Sequence, residues 1–291
     1  MFWHSGLYLV VLPCVASHLF VGVPPPLRAH DDISLLITPL NGDPNSGIGQ
    51  LPFPCKGFQV DLDGSGGMPV ADWTSGQDVT FSYVSSASMH AFADQTPSLF
   101  DSTNTTGATM HNPGAAHSGG SCQVAFSYDR GETWVVVHSW EGNCPRVNTP
   151  GSVTNVYDIN QDYTFTVPAD FPSGQRVLFG WVWINASGNR ELYMSCSSVN
   201  IQGAGSVTTQ TPAGPPLFVA NLNPINNDCV TKENTAIIYP SKFIENTVVD
   251  VAPAPVDIVP AVVLQDFSAT NPASCGSDNS TLVGLLKDPS N

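Results

Sequence analysis

Basic side chains are scarce in this sequence. Nine Lys and Arg stand against 24 Asp and Glu in 291 residues, a formal net charge of −15. A surface of that sign repels phosphate backbones and anionic lipid, which excludes nucleic acid and membranes as partners and leaves uncharged ones such as neutral polysaccharide. Charge of either sign is thin, at 11% of residues against 42% hydrophobic, so a sizeable core is possible. Helical periodicity is missing: no run keeps a 3.6-residue apolar period for more than a few residues, which excludes a helical protein. Long apolar runs are also missing, with one exception. Residues 6–23 form such a run at the extreme N-terminus, interrupted by Pro13, Cys14 and His18. It reads as a signal-peptide core and not a membrane anchor, although no Lys or Arg precedes it. Pro24-Pro25-Pro26 ends the run, and Leu27-Arg28-Ala29 supplies a small-residue cleavage motif. The expectation is a signal peptide over residues 1–29 and a secreted protein, with cuts after Ala16 or Gly22 as competing sites. A cut after Ala29 removes Arg28 and no acid, leaving 8 basic against 24 acidic side chains, or −16.

What is present is turn-rich and β-prone. Gly and Pro number 25 each, and Ser, Thr and Asn are abundant. Short β-type runs recur at sandwich spacing over 78–84, 122–128, 133–139, 162–167, 176–184 and 193–201. Val124, Phe126 and Tyr128 share one face, as do Val177, Phe179, Trp181 and Trp183. Asp129-Arg130-Gly131 is a hairpin turn signal. From His30 to Asp63 the chain is irregular and anchored by Cys55. A long Ser-, Thr-, Asn- and Gly-rich loop runs from Val84 to His117. From Ser241 the composition predicts a flexible Pro-rich tail. The predicted organisation is a signal peptide (1–29), one module (30–240) and a tail (241–291). Apart from Cys14 there are six cysteines, an even number that suits an oxidising compartment. Asn104, Asn185 and Asn279 begin glycosylation acceptor triplets.

A cut after Ala29 would make His30 the first residue. An N-terminal histidine carries a free α-amine beside its imidazole, and together they can chelate one metal ion. Amine and imidazole nitrogens suit copper. His90, His111 and His117 are the candidates for a second imidazole, whereas His138 sits in a predicted strand and reads as structural.

The segment Ala116-His117-Ser118-Gly119-Gly120-Ser121-Cys122-Gln123 resembles a motif of the lytic polysaccharide monooxygenases, and the match is closest to auxiliary-activity family eleven, which is associated with chitin. Further stretches agree in order. They are Pro52-Phe53-Pro54-Cys55-Lys56-Gly57, His138-Ser139-Trp140-Glu141-Gly142-Asn143-Cys144-Pro145, Trp181-Val182-Trp183, Gly188-Asn189-Arg190-Glu191-Leu192-Tyr193-Met194-Ser195-Cys196 and Leu217-Phe218-Val219-Ala220-Asn221. The resemblance spans roughly residues 30–240.

The resemblance implies an all-β, immunoglobulin-like or fibronectin III-like antiparallel sandwich with long loops, holding one mononuclear copper ion. His30 would ligate through its amine and Nδ1, and His117 through Nε2. Tyr193 would take the distant axial position. Glu191 would lie beside the site with Arg190, and Ala115 would limit space on the other axial side. Plainer roles stay open: a loop histidine for His117, a core aromatic for Tyr193, and an ion-pair partner of Arg190 or Arg176 for Glu191. Three disulfides are expected, Cys55–Cys196, Cys122–Cys144 and Cys229–Cys275. The implied reaction is oxidative cleavage of a β-1,4-linked polysaccharide, chitin above others, by a secreted monomer using an external electron donor and dioxygen or hydrogen peroxide. A non-catalytic copper-binding protein of the same fold at the cell wall is the alternative. One departure stands out: Asp31-Asp32 follows His30 where an apolar residue is expected.

Overall fold

The computed structural model describes residues 19–29, 33–44, 47–85, 117–146, 162–222, 229–249, 263–266 and 275. Two sheets dominate. The larger has six strands in the order β10-β5-β4-β7-β8-β2, where β2 is Asp72–Thr74, β4 Gly120–Ser127, β5 Val135–Glu141, β7 Gly174–Asn185, β8 Leu192–Gln202 and β10 Thr247–Val249. The smaller has three, β1-β3-β6, with β1 at Leu19–Val23, β3 at Asp78–Ser85 and β6 at Asp162–Thr166. A parallel pair, β9 (Thr235–Ile238) and β11 (Val263–Asp266), forms a separate two-stranded sheet. Among the described residues one α-helix occurs, α1 (Ile33–Ile37), and no helix is long and apolar enough to cross a membrane. All six predicted β-runs are strands, displaced by no more than two residues at either end. The architecture is the expected sandwich.

Each face of the larger sheet carries its own core. Val124, Phe126, Phe179, Trp181, Trp183 and Tyr193 point at the smaller sheet, where they meet Phe81, Tyr83, Tyr163 and Phe165. Rings lock there edge-on and in stacks: Trp181 meets Tyr83 at 5.1 Å, and Phe81 stacks on Tyr163 at 5.2 Å. The opposite face, with Ala125, Leu178, Val182, Ile184 and Met194, is covered by irregular chain carrying Phe53, Phe58, Leu217, Phe218 and Phe243. Every residue of β4 is therefore buried, polar ones included. Gln123 belongs to that buried set. Its Nε2 donates to Ser139 Oγ at 3.0 Å and to the Phe243 carbonyl at 2.6 Å, and its Oε1 accepts from the Phe218 amide at 3.1 Å.

Both flanks of the sequence contribute more than composition suggests. Strand β1 pairs antiparallel with β3 from Leu19↔Ser85 to Val23↔Ser82. It lies wholly within the segment that a cut after Ala29 would remove. Beyond residue 240, Phe243 is fully buried, β10 extends the large sheet beside β5, and Cys275 bonds Cys229. The other two disulfides, Cys55–Cys196 and Cys122–Cys144, also form as expected.

The irregular arm is held from inside by Lys56. This side chain is buried, and its Nζ donates to the carbonyls of Leu35 (2.8 Å), Leu36 (2.5 Å) and Thr38 (2.6 Å). Burial pulls its pKa down to about 7, while three carbonyl dipoles act in the opposite sense by favouring the ammonium. Lys56→Met keeps most of the volume and strands three acceptors. It should lower the unfolding free energy by roughly 3 kcal/mol in denaturant titration, whereas a change below about 0.5 kcal/mol would show the arm to be held by something else.

Candidate metal centre

At one end of the sandwich the turn before β4 meets the β7–β8 hairpin. The turn runs through four successive left-handed residues: His117 (φ 45°), Ser118 (59°), Gly119 (82°) and Gly120 (125°). Such a run strains side chains, and glycine relieves it at two of the four positions. Gly120 has a further reason, since a Cβ there would sit 2.2 Å from the Ile184 carbonyl oxygen. The turn is tied to the hairpin by backbone bonds, Ser187 N–H to His117 O at 3.0 Å and Ala186 N–H to Gly119 O at 3.3 Å. Two side-chain bonds add to these: Ser118 Oγ lies 2.8 Å from Ser187 Oγ, and Trp183 Nε1 donates to Gly119 O at 3.1 Å.

The hairpin is built around Asn185. Its Nδ2 donates to the carbonyls of Ser187 (2.9 Å) and Gly188 (3.1 Å) and to Glu191 Oε2 (2.8 Å), while its Oδ1 accepts from the Glu191 amide at 2.7 Å. This buried side chain folds the loop back on itself. A glycan on Nδ2 would displace those bonds, so the structure gives Asn185 a structural role. Gly188 leaves room for the histidine ring, because a Cβ on it would fall 2.3 Å from His117 Nδ1. Glu233 Oε1 holds the same turn from outside by accepting the Gly188 amide at 2.6 Å.

Three of the residues singled out in the sequence converge here. Tyr193 donates its hydroxyl to Glu191 Oε2 at 2.7 Å, and the same oxygen atom of Tyr193 lies 3.3 Å from His117 Nε2. Glu191 Oε2 is 3.5 Å from that nitrogen. Trp183 stacks on the Tyr193 ring at 4.5 Å and fixes its plane. Glu191 is 3% exposed, and burial raises its carboxyl to about 7; the Tyr193 hydroxyl opposes that rise, and the nearby Asp43 and Glu233 carboxylates add to it. No pairing of Glu191 with Arg190 or Arg176 is seen. Arg190 is exposed and offers the site only its backbone, whose carbonyl accepts from Asn41 Nδ2 at 3.3 Å. Arg176 donates to the carbonyls of Leu62 and Gly64.

An imidazole nitrogen, a phenol oxygen and a carboxylate oxygen thus face one another, a donor set that suits a transition metal with a taste for nitrogen. Among the described residues no three His, Cys, Asp or Glu side chains group as a complete site, so further donors would come from outside them. His30, Ala115, His90 and His111 lie outside the described residues, as do Asn104 and Asn279. The sequence alone does not mark Asn185, Gly188 and Glu233 as site-building residues. The turn-forming Ser-Gly-Asn after Asn185 marks a hairpin, but their contacts come from tertiary packing.

Family models give no match to the chain. Curated proteins do. The chain is 32% identical over 240 residues to a protein of Aspergillus fumigatus named AA11 family lytic polysaccharide monooxygenase A, with 79% of this chain and 85% of that protein covered. It is 36% identical over 143 residues to an AA11 family lytic polysaccharide monooxygenase of Aspergillus oryzae, covering 44% of this chain and 32% of that one. A second Aspergillus fumigatus protein, AA11 family lytic polysaccharide monooxygenase B, is 29% identical over 261 residues, covering 82% and 52%. Against these last two the chain spans about a third and half of the relative's length.

Gly188→Ala tests whether the hairpin sets the histidine. With φ at +93° and His117 in the way, the substitution should push the ring aside. Cu(II) affinity measured by calorimetry should fall at least about tenfold, roughly 1.4 kcal/mol. Unchanged affinity would mean that His117 owes its place to nothing on this loop.

Proposed function

The chain belongs to the AA11 family of lytic polysaccharide monooxygenases, and on that premise we propose that it is a secreted, copper-dependent enzyme that cleaves a β-1,4-linked polysaccharide, chitin foremost, by oxidation. The observation that carries this reading is the convergence of His117 Nε2, Tyr193 Oη and Glu191 Oε2 within 3.5 Å of one another. His117 would hold the metal through Nε2 together with an N-terminal histidine. Copper, when bound, supplies one-electron redox chemistry towards dioxygen or hydrogen peroxide with electrons from an external donor.

The chain's own groups do the rest. Tyr193 presents a hydroxyl whose proton is committed to Glu191, so its oxygen faces His117 Nε2 as a lone-pair donor. Glu191 is pinned by Asn185 and Tyr193 and has a carboxyl raised to about 7. It can therefore hold or release a proton on its carboxyl under neutral conditions, the property wanted of a group that positions a small oxygen co-substrate. Trp183 behind Tyr193 and the Ser118–Ser187 pair behind His117 keep the groups from drifting. The net charge of −15 favours an uncharged polymer over an anionic one.

The test is incubation with chitin, copper and a reductant, with soluble products read by mass spectrometry. Oxidised oligosaccharides are expected. Their absence from chitin and from other β-1,4-linked polymers, with copper bound, would favour the non-catalytic copper-binding protein. Glu191→Gln keeps the shape and the Asn185 contact but removes the charge. It should reduce product formation at least about tenfold, as expected for loss of a proton-handling group, with copper affinity changed less than about threefold.

A further inference from the structure

Residues 135–138 of β5 and the edge strand β6 enclose a groove that the metal chemistry does not use. We propose that this groove binds a β-1,4-linked oligosaccharide carrying free amino groups, at a site separate from the metal centre.

Strand β4 sets the separation. Gly120, in the turn that carries His117, begins the strand, whereas Val124 lies beside His138 and Phe126 beside Val135. Four to six residues at about 3.3 Å each put the groove roughly 13–20 Å along the strand from that turn.

The groove has a volume of about 740 Å³, within the range of small-molecule sites, and its walls are fixed. Val136 N–H donates to the Pro215 carbonyl at 2.8 Å, and Asn246 Nδ2 donates to the Val137 carbonyl at 3.1 Å, so both covering segments are stitched to β5. Gly214 lies so close that a Cβ on it would fall 2.4 Å from Val135 Cγ2. On the other wall Phe171 packs edge-on against Phe126 at 5.5 Å, and the Thr166 hydroxyl donates to Asp78 Oδ1 at 2.5 Å. A cleft held in this way loses little freedom when a ligand enters.

Charge narrows the ligand. Asp78, Asp170 and Glu245 line the groove, and no Lys or Arg does so among the described residues. Asp170 and Glu245 are exposed and make no hydrogen bond or ion pair with any described residue. Phosphates and uronic acids would be repelled. Among the described residues no three His, Cys, Asp or Glu side chains gather to hold a metal ion, so these carboxylates are spread along the cleft. Spread charge suits a ligand with repeated positive groups in place of a single cation.

The remaining lining distinguishes a sugar from a plain polyamine. His138 stacks on Trp140 at 4.1 Å, and its Nε2 is buried without a partner. Burial pulls its pKa down to about 4, so the ring is neutral at mildly acid pH and can accept or donate one bond. Buried polar atoms are ordinarily paired, and a ligand hydroxyl supplies the missing partner. Thr164 and Asn246 add a hydroxyl and an amide, while Pro168, Pro212 and Pro215 offer apolar faces to the C–H side of a pyranose ring. A linear polyamine would match the charges and leave the hydroxyl-binding groups unused.

The test is calorimetric titration of the full chain at mildly acid pH, where sugar amines are protonated and carboxylates ionised. The probes are a β-1,4-linked glucosamine hexamer, its N-acetylated counterpart and spermine. The glucosamine hexamer is expected to bind one to one. Asp170→Asn and Glu245→Gln together should weaken it at least about tenfold, and because both side chains are exposed the double variant should unfold at an unchanged temperature. Glu132→Gln removes an exposed carboxylate outside the groove and should change the affinity less than about twofold. The N-acetylated hexamer and spermine should each bind at least about tenfold more weakly. Failure of the glucosamine hexamer to bind would overturn the inference, as would equal affinity for either comparison ligand. So would a double variant that binds as the unsubstituted protein does, since the sugar would then lie elsewhere on the surface. A protein that meets these expectations yet releases no oxidised sugar from any polymer would uphold this inference and count against the proposed function alone.

Discussion

A buried carboxylate that must be satisfied sets the shape of the metal face. Glu191 is held out of water, and an unpaired carboxylate there would be strongly unfavourable. Asn185 and Tyr193 meet it at 2.8 and 2.7 Å, and each is thereby fixed as well. Asn185 then folds the hairpin back through two carbonyls, and that hairpin in turn carries Gly188, against which the His117 ring rests. Position passes from the carboxylate to the imidazole through hydrogen bonds and one absent Cβ, with no flexible link between.

The sandwich exists to hold that end still. The large sheet is buried on both faces, so its polar side chains are internal and must find partners. Gln123 bridges β5 and two covering segments, and Lys56 caps three carbonyls of the N-terminal arm. The Cys55–Cys196 bond joins that arm to β8 three residues past Tyr193, and Cys122–Cys144 closes the chain just after the His117 turn. Each should contribute roughly 2–4 kcal/mol. Both act close to the site, which therefore sits on some of the most constrained chain in the molecule.

Much of this was legible in the sequence, for physical reasons. Strands β3 and β6 show alternation because one face is buried and the other is more exposed, while β4 and β7 divide their side chains between two different cores. The cysteine pairs, and His117, Glu191 and Tyr193, were marked by the family resemblance of the motifs that carry them. What was not legible has a common cause. Strand β1 is buried on both faces, so Leu19-Phe20-Val21 reads as an unbroken apolar run and cannot be told from a signal-peptide core by periodicity. Asn185 reads as a glycosylation acceptor because its triplet carries no mark of the four bonds that bury it. Phe243 and β10 lie in Pro-rich chain and owe their order to β4 and β5 rather than to their own composition.

The central claim is that His117 is a nitrogen ligand in a copper site at this end of the sandwich. Electron paramagnetic resonance of the mature protein with one equivalent of Cu(II) tests it directly. An axial signal with nitrogen splitting is predicted, and His117→Ala should remove or wholly alter it while the protein stays folded. Identical spectra for the two proteins would contradict the assignment.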